Sequence, residues 1–247
     1  MEAQNMNAQR ALAGLALALF ALDGRADGFV NVYEIPSSVS MNVIGNQLTH
    51  EILNRTLHHW DKHEAQQKAE RAKAKPIAPA SGGSVAGLLT KDLPGRDARG
   101  AEATYRQALH YHEIVIKKFG LASGDLGVAI ASSIAGAWMA YNNKSFPDQY
   151  YLPLVRQMQQ RVRESADLRA LPAADRATAY EALAIVGMML ASSQITLERN
   201  PQAAGASALR QNMRSQGGEM LTRMLNVPPE QVGISASGFV STAGAQR

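Results

Sequence analysis

The alternation of apolar and polar positions divides the chain into a leader, an N-terminal arm and a C-terminal run of helices. Residues 11–22 are apolar without interruption and follow Arg10. A positive residue, a short apolar run, and Gly24 and Ala26 at −3 and −1 of a cleavage point give the order of an export signal. Cleavage after Ala26 is expected, so residues 1–26 read as a signal peptide. The run is too short to span a bilayer comfortably. Glu2 puts an acid ahead of it, and a start at Met6 restores the charge order of a leader.

Residues 27–75 read as an arm. Phe29, Val30, Val32, Tyr33 and Ile35 make a short β-prone piece ended by Pro36. Met41, Ile44, Leu48, Ile52 and Trp60 then recur at roughly helical spacing, which predicts an amphipathic helix. Its continuation to Lys75 has almost no large apolar residue. Two prolines and Ser-Gly-Gly-Ser follow from Pro76, so residues 76–97 are expected to form a flexible linker.

Residues 98–240 predict a compact bundle of about five helices, an all-α fold, with residues 241–247 as a loose tail. Tyr105, Leu109, His112, Ile116 and Phe119 share one stripe of the first helix, and Gly120 ends it. Ser123 is the expected cap of the second, with Asp125 in its first turn. This second helix is small or apolar all round, from Ala129 to Ala140, and so should lie at the centre. Ser145 and Pro147 open an amphipathic, peripheral third helix with Tyr151, Leu154, Met158 and Val162 on its apolar side. Pro172 and Asp175 introduce a fourth, running to about Arg199. Asn200-Pro201 reads as the start of a fifth, which Gly217-Gly218 is expected to kink or divide. Pro228-Pro229-Glu230 then begins a short turn before residues 234–239.

Composition narrows the setting. The chain has 247 residues and no cysteine, so an exported form must be held by an ordinary hydrophobic core and not by disulfides. With its Ala-rich leader, this points to a periplasmic or secreted bacterial protein. The net charge of +4 and the pI near 9.4 come from scattered arginines, without the clustered Lys/Arg and interleaved aromatics of a nucleic-acid binder. Even the basic stretch 68–75 alternates with Ala and Glu, as a solvated helix end does.

One resemblance emerges from the order of features in residues 104–239. It is carried by Phe119-Gly-Leu before Asp125-Leu126, the small-residue helix ending Ala137-Trp138, Arg156-Gln157, Glu181-Ala-Leu-Ala with Val186 to Leu190, and Ile234-Ser-Ala-Ser-Gly-Phe239. In these the chain resembles an uncharacterised bacterial family of exported α-helical proteins, a domain of unknown function. The resemblance implies no reaction, ligand or functional residue, and residues 27–98 lie outside it.

Most signatures of catalytic or metal chemistry are incomplete in the chain. His50-Glu51, His63-Glu64 and His112-Glu113 each begin the zinc-protease pattern His-Glu-x-x-His, but Asn54, Gln67 and Ile116 stand where the second histidine belongs. His59 and His63, within the cluster from His58 to His63, are one helical turn apart and supply half a metal site at most. His110, Tyr111 and His112 read as a helix edge. Thiol catalysis is excluded, no Gly-x-Ser-x-Gly elbow is present, and Gly233-x-Ser235-x-Ser237-Gly238 misses it by one position. Phosphate-cradling and dinucleotide loops are absent. Asp125, Glu181 and Glu113 remain as carboxylates that can converge, with helix-dipole and surface roles as the simpler explanation. Met188, Met189, Met213, Met220 and Met224 line a groove or fill the core.

These readings leave no assigned catalytic, metal or cofactor residue. The expected function is that of an exported, soluble helical module, protein-binding or structural, in the bacterial envelope. The apolar stripe of its arm, residues 27–75, needs cover, either on its own bundle or in the groove of an envelope protein partner, and no transmembrane span is expected in the mature protein. Two other readings compete: a periplasmic hydrolase with a carboxylate or histidine site, marked by a deep pocket with convergent groups, and a carrier of a small apolar ligand, marked by an enclosed apolar cavity.

Overall fold

A computed structural model describes residues 85–90 and 95–242. In these residues the chain forms α1 (Val85–Thr90), α2 (Gly95–Lys118), α3 (Leu126–Asn142), α4 (Tyr151–Glu164), α5 (Ala166–Arg169), α6 (Ala173–Arg199) and α7 (Ala206–Leu225). An antiparallel pair follows, β1 (Val232–Ser235) and β2 (Gly238–Ser241), in which Ile234 faces Phe239 across the ladder. The expected all-α bundle is therefore what forms, with one small hairpin at its end. The leader, the arm 27–75 and most of the expected linker lie outside the described residues.

The centre of the bundle is α3, as its composition predicts. Every residue from Leu126 to Ala137 is buried, and α6, α7 and α4 pack around it. Small residues set how closely. A Cβ added at Gly136 of α3 would stand 2.2 Å from the carbonyl oxygen of Gly187 in α6, and one at Gly187 would stand 2.7 Å from that of Ser132. No residue larger than glycine fits that crossing at the observed spacing. Glycine costs a helix about 1 kcal/mol relative to alanine, which the close packing of backbones offsets.

The outer helices follow their patterns. In α4, Tyr151, Leu154, Val155 and Met158 are buried and the arginines are exposed, and each fully buried side chain such as Leu154 contributes about 1.5–3 kcal/mol. Helix α2 ends in a Schellman arrangement, with Leu121 N–H donating to Ile116 O at 2.9 Å and Gly120 N–H to Lys117 O at 3.0 Å, while Gly120 takes the left-handed φ of 68°. Helix α6 is long and apolar enough to cross a membrane, yet 83% of its most apolar window is buried inside the bundle, as in a core helix.

Several local expectations need correction. Part of the expected linker 76–97 is helical: Val85 and Ala86 are apolar and buried in the core, and α2 already starts at Gly95. Asp125, not Ser123, caps α3, its carboxylate accepting from the N–H groups of Gly127 at 2.8 Å and Val128 at 3.2 Å. Ser123 donates instead to Glu113 at 3.0 Å. Helix α7 starts after Gly205 and not at Pro201, since Asn200 closes α6 and residues 201–205 turn. Gly217 and Gly218 do not break α7. They let it approach α3, where a Cβ on Gly217 would lie 2.6 Å from Ala137 O.

The segment after the Pro229–Gln231 turn is a hairpin held by a side chain. Gln157 of α4 accepts from Phe239 N–H at 2.8 Å and donates to Phe239 O at 2.9 Å, taking the place of a neighbouring strand. This joins two of the segments that carry the family resemblance, Arg156-Gln157 and residues 234–239.

Candidate functional site

The site begins with a histidine on an apolar stripe. His112 shares the face of α2 that carries Tyr105 and Ile116, and it is 0% exposed, so both ring nitrogens need partners inside the protein. They have them. Nε2 lies 2.9 Å from Ser132 Oγ of α3, and Nδ1 lies 3.3 Å from the Tyr180 hydroxyl of α6, whose ring meets the imidazole edge to face. The helix-edge reading of His110, Tyr111 and His112 holds for exposed His110 and fails for His112.

The hydrogen bonds extend in both directions. The Tyr180 hydroxyl donates to Glu113 Oε1 at 2.6 Å, and Ser132 Oγ lies 2.7 Å from the hydroxyl of Tyr151, the first residue of α4. Four helices thus supply one chain of polar groups, Tyr151–Ser132–His112–Tyr180–Glu113. One arrangement of protons satisfies every link: Tyr151 donates to Ser132, Ser132 to His112 Nε2, Nδ1–H to Tyr180, and Tyr180 to Glu113. Ser132 is also 3.0 Å from Val128 O, so its one proton has two acceptors.

Burial sets the ionisation of these groups. It lowers the His112 imidazole to about 4, an effect that the Glu113 charge opposes, so the ring is neutral at pH 7. Burial pushes the Tyr151 phenol up to about 12, with the Ser132 bond acting the other way. Tyr180 also rises to about 12, through burial and then through its bond to Glu113. Both phenols therefore stay protonated and able to donate.

The Tyr151–Ser132 end opens into a cavity of about 390 Å³. Val115 of α2 and Phe119 just after it, Ala135, Gly136 and Met139 of α3, and Gly187, Met188, Ala191 and Ile195 of α6 make its wall, with Phe146 from the loop before α4. That loop is anchored by an edge-to-face contact of Phe146 with Trp138, and Phe119 packs on Tyr151 at 4.9 Å between ring centres. Exposed Ser145, Asp148, Glu198 and Arg199 form the rim. Ser145 donates to Glu198, which also accepts from Gln194 at 3.1 Å. Burial raises the Asp148 carboxyl above its ordinary value, and the Lys118 charge opposes this. The result is an apolar chamber with two hydroxyls on its floor and charges at its entrance.

Other expected sites do not assemble. Asp125 caps α3 and accepts from Gln159 at 2.8 Å, while Glu113 is bonded to Ser123 and Tyr180, so these carboxylates serve separate contacts. Among the described residues no group of three or more His, Asp or Glu can share a metal, and the cluster His58 to His63 lies outside them. Met189, Met213, Met220 and Met224 are core, and Met188 alone of that set lines the cavity. A wider depression of about 550 Å³ beside Tyr141 and Pro229 is an open surface groove, where Arg214 lies over the Tyr141 ring at 5.0 Å.

Reasoning from sequence missed Ser132, Tyr151 and Tyr180. The available signal was His112 on the apolar stripe of α2, together with Ser132-Ser133 as the paired hydroxyls of an otherwise apolar helix. Ser133 is structural, donating to Leu183 O of α6 at 2.6 Å, which leaves Ser132 for the cavity.

No curated protein and no solved structure shows a significant match to the chain. A family model described as "Family of unknown function (DUF6683)" matches residues 6–242, a range that takes in the arm and linker as well as the bundle and so extends well beyond the segment 104–239 on which the resemblance rests. By that match, the chain belongs to this family of unknown function.

Proposed function

We propose that the bundle binds a small, largely apolar molecule in the cavity between α2, α3, α4 and α6, with a polar atom of the ligand against Ser132 and Tyr151. The observation that carries this reading is the cavity itself. Its volume of about 390 Å³ lies in the range of small-molecule sites, at roughly 300–1,000 Å³, and its wall is apolar with few convergent polar groups. Filling such a chamber removes apolar surface from water at about 25 cal/mol per Å², while the two hydroxyls orient the occupant. Among the expectations from sequence, the ligand carrier is therefore the one favoured here over a purely structural bundle. Export by the leader 1–26 to the periplasm or beyond, and a partner-binding role for the arm 27–75, remain part of the proposal on the strength of the sequence pattern.

The test uses N-phenyl-1-naphthylamine, a neutral apolar fluorophore that brightens out of water. Titration into the wild-type protein should give saturable binding, and Ala191→Phe, which fills the cavity from α6, should weaken it at least tenfold with the helical signal unchanged. Equal binding by the two proteins would sink the reading.

A further inference from the structure

The floor of the cavity holds more than a pair of orienting hydroxyls. A ligand needs only a donor or acceptor there, whereas the chain continues through a buried imidazole to a carboxylate. Ser132 Oγ is 2.9 Å from His112 Nε2, within the reach required of a nucleophile and its base. The other ring nitrogen is oriented by the Tyr180 hydroxyl, which gives its own proton to Glu113. The Tyr151 hydroxyl, 2.7 Å from Oγ, stands beside the position that an acyl oxygen occupies when its carbon is attacked.

We propose that Ser132 is an acyl-accepting nucleophile, with His112 as general base and Tyr151 as donor to the oxyanion, acting on esters of small apolar acids. This rests on the cavity reading, because the apolar wall is what holds the acyl chain. In the forward step Ser132 Oγ bonds to the ester carbon and its proton passes to His112 Nε2. The carbonyl oxygen takes the negative charge and accepts from Tyr151, which releases its bond to Oγ. The bond from carbon to the alcohol oxygen then breaks, and the Nε2 proton leaves with the alcohol. Water attacks the acyl-serine, giving a proton to Nε2, which returns it to Ser132 as the carboxylic acid departs. No oxidant, metal or further reactant enters.

Tyr180 and Glu113 are positioning residues. The Glu113 charge favours the imidazolium that forms during the step, offsetting part of the effect of burial. A structural role for the same network requires only that each polar group be paired. It does not require labelling of the serine.

The experiment treats the full chain with p-nitrophenyl butyrate and, separately, with a short-chain alkyl fluorophosphonate. Release of p-nitrophenol and a phosphonyl adduct mapped to Ser132 by mass spectrometry are expected. Ser132→Ala should remove the adduct and lower the rate at least a hundredfold with the helical signal unchanged. Glu113→Gln should move the acid limb of the pH–rate profile to lower pH. Ser132→Cys guards against misfolding of the alanine variant: the chain contains no cysteine, so alkylation by N-ethylmaleimide reads this position alone, and bound fluorophore should protect it. Absence of adduct and of release above buffer hydrolysis, with fluorophore binding intact, would overturn the nucleophile and leave the cavity reading standing. Failure of fluorophore binding together with loss of protection would remove the cavity reading itself.

Discussion

His112 Nε2 and Ser132 Oγ meet at 2.9 Å across the α2–α3 contact, and the histidine is 0% exposed. A neutral imidazole built into a core makes stability depend on pH. The unfolded chain takes up a proton at this residue below about 6.5, whereas the folded protein resists it down to about 4. Stability from this group is therefore fully present above 6.5 and is lost as pH falls from there toward 4, and the gap corresponds to about 3 kcal/mol. Urea unfolding at pH 7.5 and 4.5 should show the wild type losing about that much more than His112→Gln between the two conditions. Equal losses would show that His112 titrates normally in the fold.

The hairpin depends on one side chain. Gln157 satisfies both backbone groups of Phe239, so Gln157→Ala leaves a donor and an acceptor without their partner. An unsatisfied group costs about 1–3 kcal/mol when buried, and these are partly buried, which places the expected loss in the lower part of that range. Amide exchange at Phe239 should speed up in this variant while that of α3 falls only with global stability. Unchanged protection at Phe239 would mean that the hairpin holds itself.

Two glycine replacements should act in opposite directions. At Gly187 a methyl group meets Ser132 O at 2.7 Å and Ser133 N at 2.8 Å, so Gly187→Ala must spread α3 from α6 and destabilise by about 1–3 kcal/mol. Gly100 in α2 has nothing within 4 Å of an added Cβ, and Gly100→Ala should stabilise by up to about 1 kcal/mol through helix propensity. Thermal melts of the two variants against wild type decide this. A rise in midpoint for Gly187→Ala would contradict the close crossing.

The fold was largely readable from the chain, and the site was not. Periodicity located α2, α3, α4 and α6, because a helix that buries one stripe or its whole surface must carry that pattern. Boundaries were lost where two caps compete: Ser123 and Asp125 both suit the start of α3, and only the carboxylate reaches the N–H groups of Gly127 and Val128. The hairpin was hidden because its key partner, Gln157, lies 82 residues from Phe239. The cavity floor was hidden for the same reason, since Ser132 and Tyr151 look like ordinary core polar residues until the packing of α2 and α4 on α3 brings His112 and Tyr151 to Ser132. The stripe with Tyr105 and Ile116 includes His112, but the sequence alone reads it as a helix edge; its partners, Ser132 and Tyr180, come from two other helices.

Occupancy of the cavity can be read most directly from methionine methyl groups. Met139 and Met188 line the chamber, while Met213 and Met224 are buried in α7 away from it. In a spectrum of protein labelled with ¹³C-methyl methionine, N-phenyl-1-naphthylamine should shift Met139 and Met188, saturating at one equivalent, and leave Met213 and Met224 in place. Fluorophore binding with Met139 and Met188 unmoved would place the ligand elsewhere and contradict the cavity as the binding site.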